Sequence, residues 1–74
     1  MLNATQAASE IGENIASRRK SLGVTQEELA ELAGVSVRFL SSLENGKPTI
    51  RLDTLIAVLD ALGLDLRIGT RGRS

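Results

Sequence analysis

The chain has no cysteine, no histidine and a single aromatic residue, Phe39, among its 74 residues. Without Cys there are no disulfides, and without Cys or His the usual ligands of structural zinc are missing. A domain this small normally needs such a staple, so association with another chain is the staple that remains. With one ring available, the core must be built from Leu, Ile, Val and Ala. The same gaps exclude whole classes of chemistry. There is no thiol or imidazole, no phosphate-cradling glycine loop and no carboxylate pair set in a plausible cleft. Ser41 and Ser42 have no evident general base, and so short a chain has little room to enclose a substrate. The expectation is a protein that is not an enzyme and uses no cofactor and no metal. No window approaches the roughly 18 consecutive apolar residues of a membrane span. MLNATQAAS lacks the positive end and apolar run of a secretory leader. A cytoplasmic, nucleoid-associated protein with no membrane partner is therefore expected.

Net charge is also absent: nine basic residues balance nine acidic ones. Their distribution is uneven. Glu27, Glu28 and Glu31 crowd one segment, whereas from Ser36 to Arg51 the bases Arg38, Lys47 and Arg51 face only Glu44. Arg18, Arg19 and Lys20 form a basic run, and Arg67, Arg71 and Arg73 give a basic end. Such a balance predicts weak sequence-independent affinity for a polyanion rather than none.

What the chain does contain is clear punctuation. The spacing predicts helix 1 from about Ser9 to Leu22, with Ile11, Ile15 and Leu22 inward and Gly23 at its end. Residues 1–8 form an arm, frayed or extending helix 1, with Asn3 and Gln6 available as a cap. Thr25 and Glu28 spell a capping box, opening a helix that buries Leu29, Leu32 and Ala33. Gly34 turns the chain. Ser36 caps a third helix that closes at Asn45-Gly46. The fourth helix runs from about Leu52 to Leu62, with Leu52, Leu55, Ile56, Leu59 and Leu62 at helical spacing. Then the period drops to two: Leu64, Leu66 and Ile68 alternate with Asp65, Arg67 and Gly69, the pattern of a half-buried strand over 64–69. Residues 70–74 read as a disordered tail.

Helices two and three, with Gly34 between them, form a helix-turn-helix at 25–45 within a domain spanning 9–63. At about 100° per residue, Val35, Ser36, Phe39, Leu40 and Leu43 fall on one side of the third helix. Val37, Arg38, Ser41 and Ser42 fall on the other. That outer set holds a cation, two hydroxyls and a compact apolar side chain. Arg can address guanine O6 and N7 together, Ser can meet a base or a phosphate, and Val can meet a thymine methyl. The alternative is an ordinary solvated surface. Ala30, Ala33 and Gly34 let two backbones cross closely, and Leu40 plugs the angle between them.

On Thr25-Gln26, Leu29-Ala30, Gly34-Val35-Ser36, Leu40 and Leu43-Glu44-Asn45-Gly46, residues 11–62 resemble the lambda-repressor-like, Cro/C1-type (XRE) helix-turn-helix domain. The resemblance implies an all-α, compact four-helix DNA-binding fold. It implies a phosphate contact from Gln26, base contacts from Val37, Arg38 and Ser42, and Ser36 and Ser41 nearer the backbone. Lys47 and Arg51 would hold phosphates beyond the third helix. It also implies a structural ion pair between Arg19 and Glu44.

A lone strand of about five residues needs a partner, and no other segment offers one. The simplest partner is the same strand from a second copy, placing Leu64, Leu66 and Ile68 in a homodimer interface. The alternative is that this segment packs along its own helices as an irregular tail. A four-helix core followed by such a strand resembles the HipB-like antitoxins, partners of HipA-type kinase toxins, although only a few residues follow the strand here. Three functions stay open on these grounds. One is a homodimeric repressor on a palindromic double-stranded DNA operator, autoregulating a HipA-like toxin pair. Another is an interaction module that mainly neutralises a toxin. The last is a stand-alone phage-type repressor.

Overall fold

The computed structural model describes residues 3–70, and the chain there folds into four α-helices: α1 (Ala4–Ser21), α2 (Gln26–Ala33), α3 (Val37–Glu44) and α4 (Leu52–Leu62). The basic tail beyond Thr70 lies outside the described residues.

Helix α1 starts earlier than its apolar stripe predicts. Asn3 Oδ1 accepts from Gln6 N at 2.8 Å and Gln6 Oε1 accepts from Asn3 N at 3.1 Å, a complete capping box. The alanine-rich first turns therefore lie within the helix, which is the extension that Asn3 and Gln6 offered as a cap. In α2 the box is Thr25 with Glu28, each side chain bonding the other's backbone N–H. Ser36 Oγ accepts from Phe39 N at 2.9 Å and opens α3. Gly34 sits at φ 72° and ψ 31°, a left-handed backbone that costs glycine nothing and sets the sharp turn between α2 and α3.

Helix α2 packs on α4 and on α3, and α1 packs on α3 and α4. The core they enclose is aliphatic, as composition requires: Ile15, Leu29, Ala30, Leu40, Leu43, Leu55, Val58, Leu59 and Leu62. Its limits differ from the predicted stripes. Leu22, Leu32, Leu52 and Ile56 are exposed, Leu32 to 71 %. Val58, absent from the expected set, is fully buried. Helix α4 is apolar over more than half its circumference, so periodicity alone leaves its inward direction open. Packing against α1 and α2 selects the row Leu55, Val58, Leu59 and Leu62.

Gly12 explains how α1 reaches α3. A Cβ at this position would lie within 2.8 Å of the Glu44 carbonyl oxygen and closer still to that of Leu43. Only a residue without a side chain allows the middle of α1 to rest on the last turn of α3.

Residues 64–70 carry no strand, and no β-strand occurs among the described residues. The expected strand is thus not formed within a single chain, for a physical reason: its ladder needs a neighbour, and no other segment of this chain is extended beside it. Leu64 turns back on the core, its N–H donating to the Leu59 carbonyl at 2.9 Å, while Leu66 and Ile68 point outward, Ile68 being 95 % exposed.

Candidate nucleic-acid interface

Helix α3 is held from beneath by Leu40 and Leu43, both buried, and by half-buried Val35 and Phe39. Across from these, Val37 and Arg38 are exposed, and Ser41 and Ser42 are half-buried. Ser36, at the start of the helix, is exposed. Its hydroxyl oxygen is committed to the cap, but its O–H is free to donate outward. At eight residues the helix is about 12 Å long, comparable to the width of a B-DNA major groove.

Beside α3 lies an open cleft of about 400 Å³, walled on the other side by the loop that leads into α4. Ser36, Arg38, Ser42, Lys47 and Arg51 all line it, over a floor of Val35, Phe39 and Ile50. Five of the predicted contact residues thus share one surface, with three cations and no acid in its lining. Val37, Ser41 and Gln26 are not part of that lining. Thr49 and Thr54, which sequence reasoning passed over, complete the rim. Thr54 Oγ1 donates to the Arg51 carbonyl at 3.0 Å and so ties the loop to the first turn of α4.

The ends of α1 and α3 are joined by a part-buried charge cluster. Arg19 Nε donates to Glu44 Oε2 at 2.7 Å and its Nη2 to Oε1 at 3.0 Å, a two-pronged pair between the ends of α1 and α3. Arg19 Nη1 donates to the Val24 carbonyl at 2.9 Å, so the guanidinium also holds the α1–α2 loop. The two side chains are only 11 % and 6 % exposed. Gln26 Nε2 donates to Glu44 Oε1 at 3.0 Å, linking the start of α2 to the end of α3. Gln26 is therefore fixed through Glu44, which takes one of its two Nε2 hydrogens and leaves the other available as a donor.

Burial works to raise the Glu44 carboxyl. Hydrogen bonds from Arg19 and Gln26, with the positive charges of Arg19 and Lys20, outweigh it and hold the group below the ordinary carboxylate value. The Glu44 hydrogen bond likewise raises Arg19 further above its already high value. Both groups stay charged across the physiological range, and no buried side-chain polar atom among the described residues lacks a partner. Of the basic run Arg18–Lys20, two members bond back to the fold, Arg19 as above and Arg18 at the far end of α4. Arg18 Nε donates to the Leu62 carbonyl at 3.0 Å, closing the C-terminal end of α4.

Nothing else among the described residues offers a site of comparable chemistry. No cluster of three or more His, Cys, Asp or Glu able to hold a metal occurs among the described residues. No described helix is long and apolar enough to cross a membrane.

Comparison with known proteins agrees with the helix-turn-helix architecture. The helix-turn-helix family HTH_3 matches residues 15–68. An uncharacterized HTH-type transcriptional regulator, y4mF of Sinorhizobium fredii, is 37 % identical over 68 residues, covering 92 % of this chain and 90 % of its own length. A second regulator described in the same way from that organism, y4dJ, is 41 % identical over 54 residues, covering 73 % of this chain and 70 % of its own. One from Haemophilus influenzae is 36 % identical over 50 residues, covering 68 % of this chain and 51 % of its own. With the family match spanning α2, the turn, α3 and α4, and a relative aligned along nine-tenths of both chains, this protein belongs to the Cro/C1-type helix-turn-helix family.

Proposed function

We propose that this chain is a sequence-specific transcriptional repressor that binds double-stranded DNA as a homodimer on a palindromic operator. The reading rests above all on one surface: the outward side of α3 continues into a cleft where Arg38, Lys47 and Arg51 converge, Arg51 alone of the three carrying an acidic partner, Asp53, beside the lining. In this proposal α3 enters the major groove, Val37, Arg38 and Ser42 meet base edges, and Ser36 and Ser41 lie nearer the backbone. Lys47 and Arg51 take phosphates on the far side of the cleft, and Gln26 takes one through the donor that Glu44 leaves free. Repression is steric, by occupation of a promoter. The relatives' description as transcriptional regulators supports this use of the fold.

The dimer is proposed from the C-terminal segment. Leu66 is 45 % and Ile68 is 95 % exposed, and an exposed apolar row with strand periodicity is suited to pairing with its own copy. Antiparallel pairing of residues 64–69 across a two-fold axis would cover Leu64, Leu66 and Ile68 and set the spacing between the two α3 helices. This arrangement is also the ground for proposing a HipB-like antitoxin that represses its own promoter and contacts a HipA-like kinase toxin.

The test combines two measurements on the full chain. A duplex selected from a random pool should lose discrimination with Arg38→Ala, whereas Lys47→Ala should weaken all duplexes alike and flatten the salt dependence. Selection that yields no preferred sequence would refute sequence-specific recognition. Sedimentation equilibrium of the full chain beside a chain ending at Gly63 tests the pairing. A monomer in both cases would remove the strand from the proposal.

A further inference from the structure

We propose that Asp53 limits the affinity of this interface for the DNA backbone by competing with phosphate for Arg51. The inference rests on the DNA-binding reading above and adds an acidic residue to it. Arg51 is the last residue before α4 and lines the cationic cleft; Asp53 sits two residues on, in the first turn of the helix. Arg51 Nε donates to Asp53 Oδ1 at 3.1 Å and Arg51 Nη2 donates to Oδ2 at 2.6 Å. The carboxylate thus grips one edge of the guanidinium in the same two-pronged geometry that a phosphate would use.

Two features keep Asp53 in this position. Its Oδ1 also accepts from Thr54 N at 2.8 Å, and its charge lies at the positive end of the α4 dipole. It is therefore anchored to the helix whether or not Arg51 is present. Arg51, the more exposed of the two, has no comparable side-chain anchor. Of its five N–H donors, two are taken by Asp53, so the opposite edge can still meet a phosphate. The charge that such a phosphate meets, however, is already balanced. Of the three cations lining the cleft, Arg38 and Lys47 make no ion pair among the described residues, and Arg51 alone is paired.

This pair differs in kind from Arg19–Glu44. Its side chains are 78 % and 64 % exposed, so it contributes little to folding and opens readily. A weak, reversible clamp on a backbone-binding cation lowers the affinity for every duplex and leaves the discrimination between sequences to α3.

The test is a salt titration of the full chain on a mixed-sequence duplex, followed by fluorescence anisotropy, comparing wild type, Asp53→Asn, Arg51→Ala and the double variant. Asn keeps an acceptor for Thr54 N while removing the charge. Asp53→Asn should tighten binding about two- to fivefold at low salt, the range accessible to an exposed pair. It should also steepen the slope of log K against log salt by part of the roughly 0.9 carried by one neutralised phosphate. In the Arg51→Ala background the same change should have no effect. Asp53→Ser, which also offers an acceptor, must behave as Asn does. Unchanged or weaker binding by Asp53→Asn overturns the proposal, as does an equal gain in the Arg51→Ala background, which would mark a general charge effect. If no form of the protein binds any duplex, the DNA-binding reading falls and this inference falls with it.

Discussion

Removing the Glu44 carboxylate should be among the most damaging single changes this chain can suffer. Glu44→Ala leaves the Arg19 guanidinium, 11 % exposed, with only the Val24 carbonyl, and leaves Gln26 Nε2 without its acceptor. Breaking a buried pair from one side typically costs about 3–5 kcal/mol. We expect the lower end, about 3 kcal/mol, because Arg19 lies at the edge of solvent and retains one bond. A 74-residue domain has in total on the order of 4–11 kcal/mol. The variant should therefore lose a large share of its stability and melt roughly 12–24 °C lower. Urea denaturation of wild type, Arg19→Leu, Glu44→Leu and the double variant completes the argument. Each single change should cost several times more than an exposed pair would, and the double should recover most of the loss because no charge is left stranded. A cost below about 1 kcal/mol for Glu44→Ala would show that the pair behaves as a surface pair, and the bracing of α3 by α1 and α2 would have to come from packing alone.

Gly12→Ala gains about 1 kcal/mol of helix propensity in α1 yet drives a methyl into the Leu43 and Glu44 carbonyls. The net result should be a loss of about 1–2 kcal/mol in urea denaturation, and a stabilised variant would mean that α1 and α3 can separate freely. Acid should loosen the same region. Glu44 has its folded pKa depressed below the ordinary 4.5, so its contribution is complete above that value and is lost as pH falls through the lower folded value. Thermal melts of wild type should decline below about pH 4.5 more steeply than those of the Arg19→Leu, Glu44→Leu double variant.

Much of this fold could be read from local chemistry. The Thr25–Glu28 box, the Ser36 cap and Gly34 each act within four residues, and each stands in the structure where the sequence puts it. Local signals also fell short. They left the start of α1 open between Ser9 and an extension capped by Asn3 and Gln6, and the capping box selects the extension. Leu32 and Ile56 fit a helical stripe and still face solvent, because a stripe gives spacing and the neighbouring helices give direction. Gly12 carried no signal at all. Its role exists only once α3 lies across α1, and in one dimension it is merely an unfavourable residue inside a helix. Of the residues proposed for the interface, Arg38 and Ser42 follow from their positions around α3, whereas Lys47 enters through the family resemblance. The Gln26–Glu44 bond spans 18 residues and depends on how α2 meets α3, which periodicity does not encode.

The division of α3 into an inner row and an outer row has a consequence for how such a protein can change. Leu40 and Leu43 are buried and answer to the fold, whereas Val37 and Arg38 project into solvent and touch little that stability depends on. If α3 reads DNA as proposed, exchanges at those two positions can rewrite what it reads while the scaffold stays intact. Ser41 and Ser42, half-buried, admit only residues of similar volume. Diversification of this reader is thus channelled: two positions vary freely, two vary within a size limit, and the rest of the helix keeps the domain folded while they do.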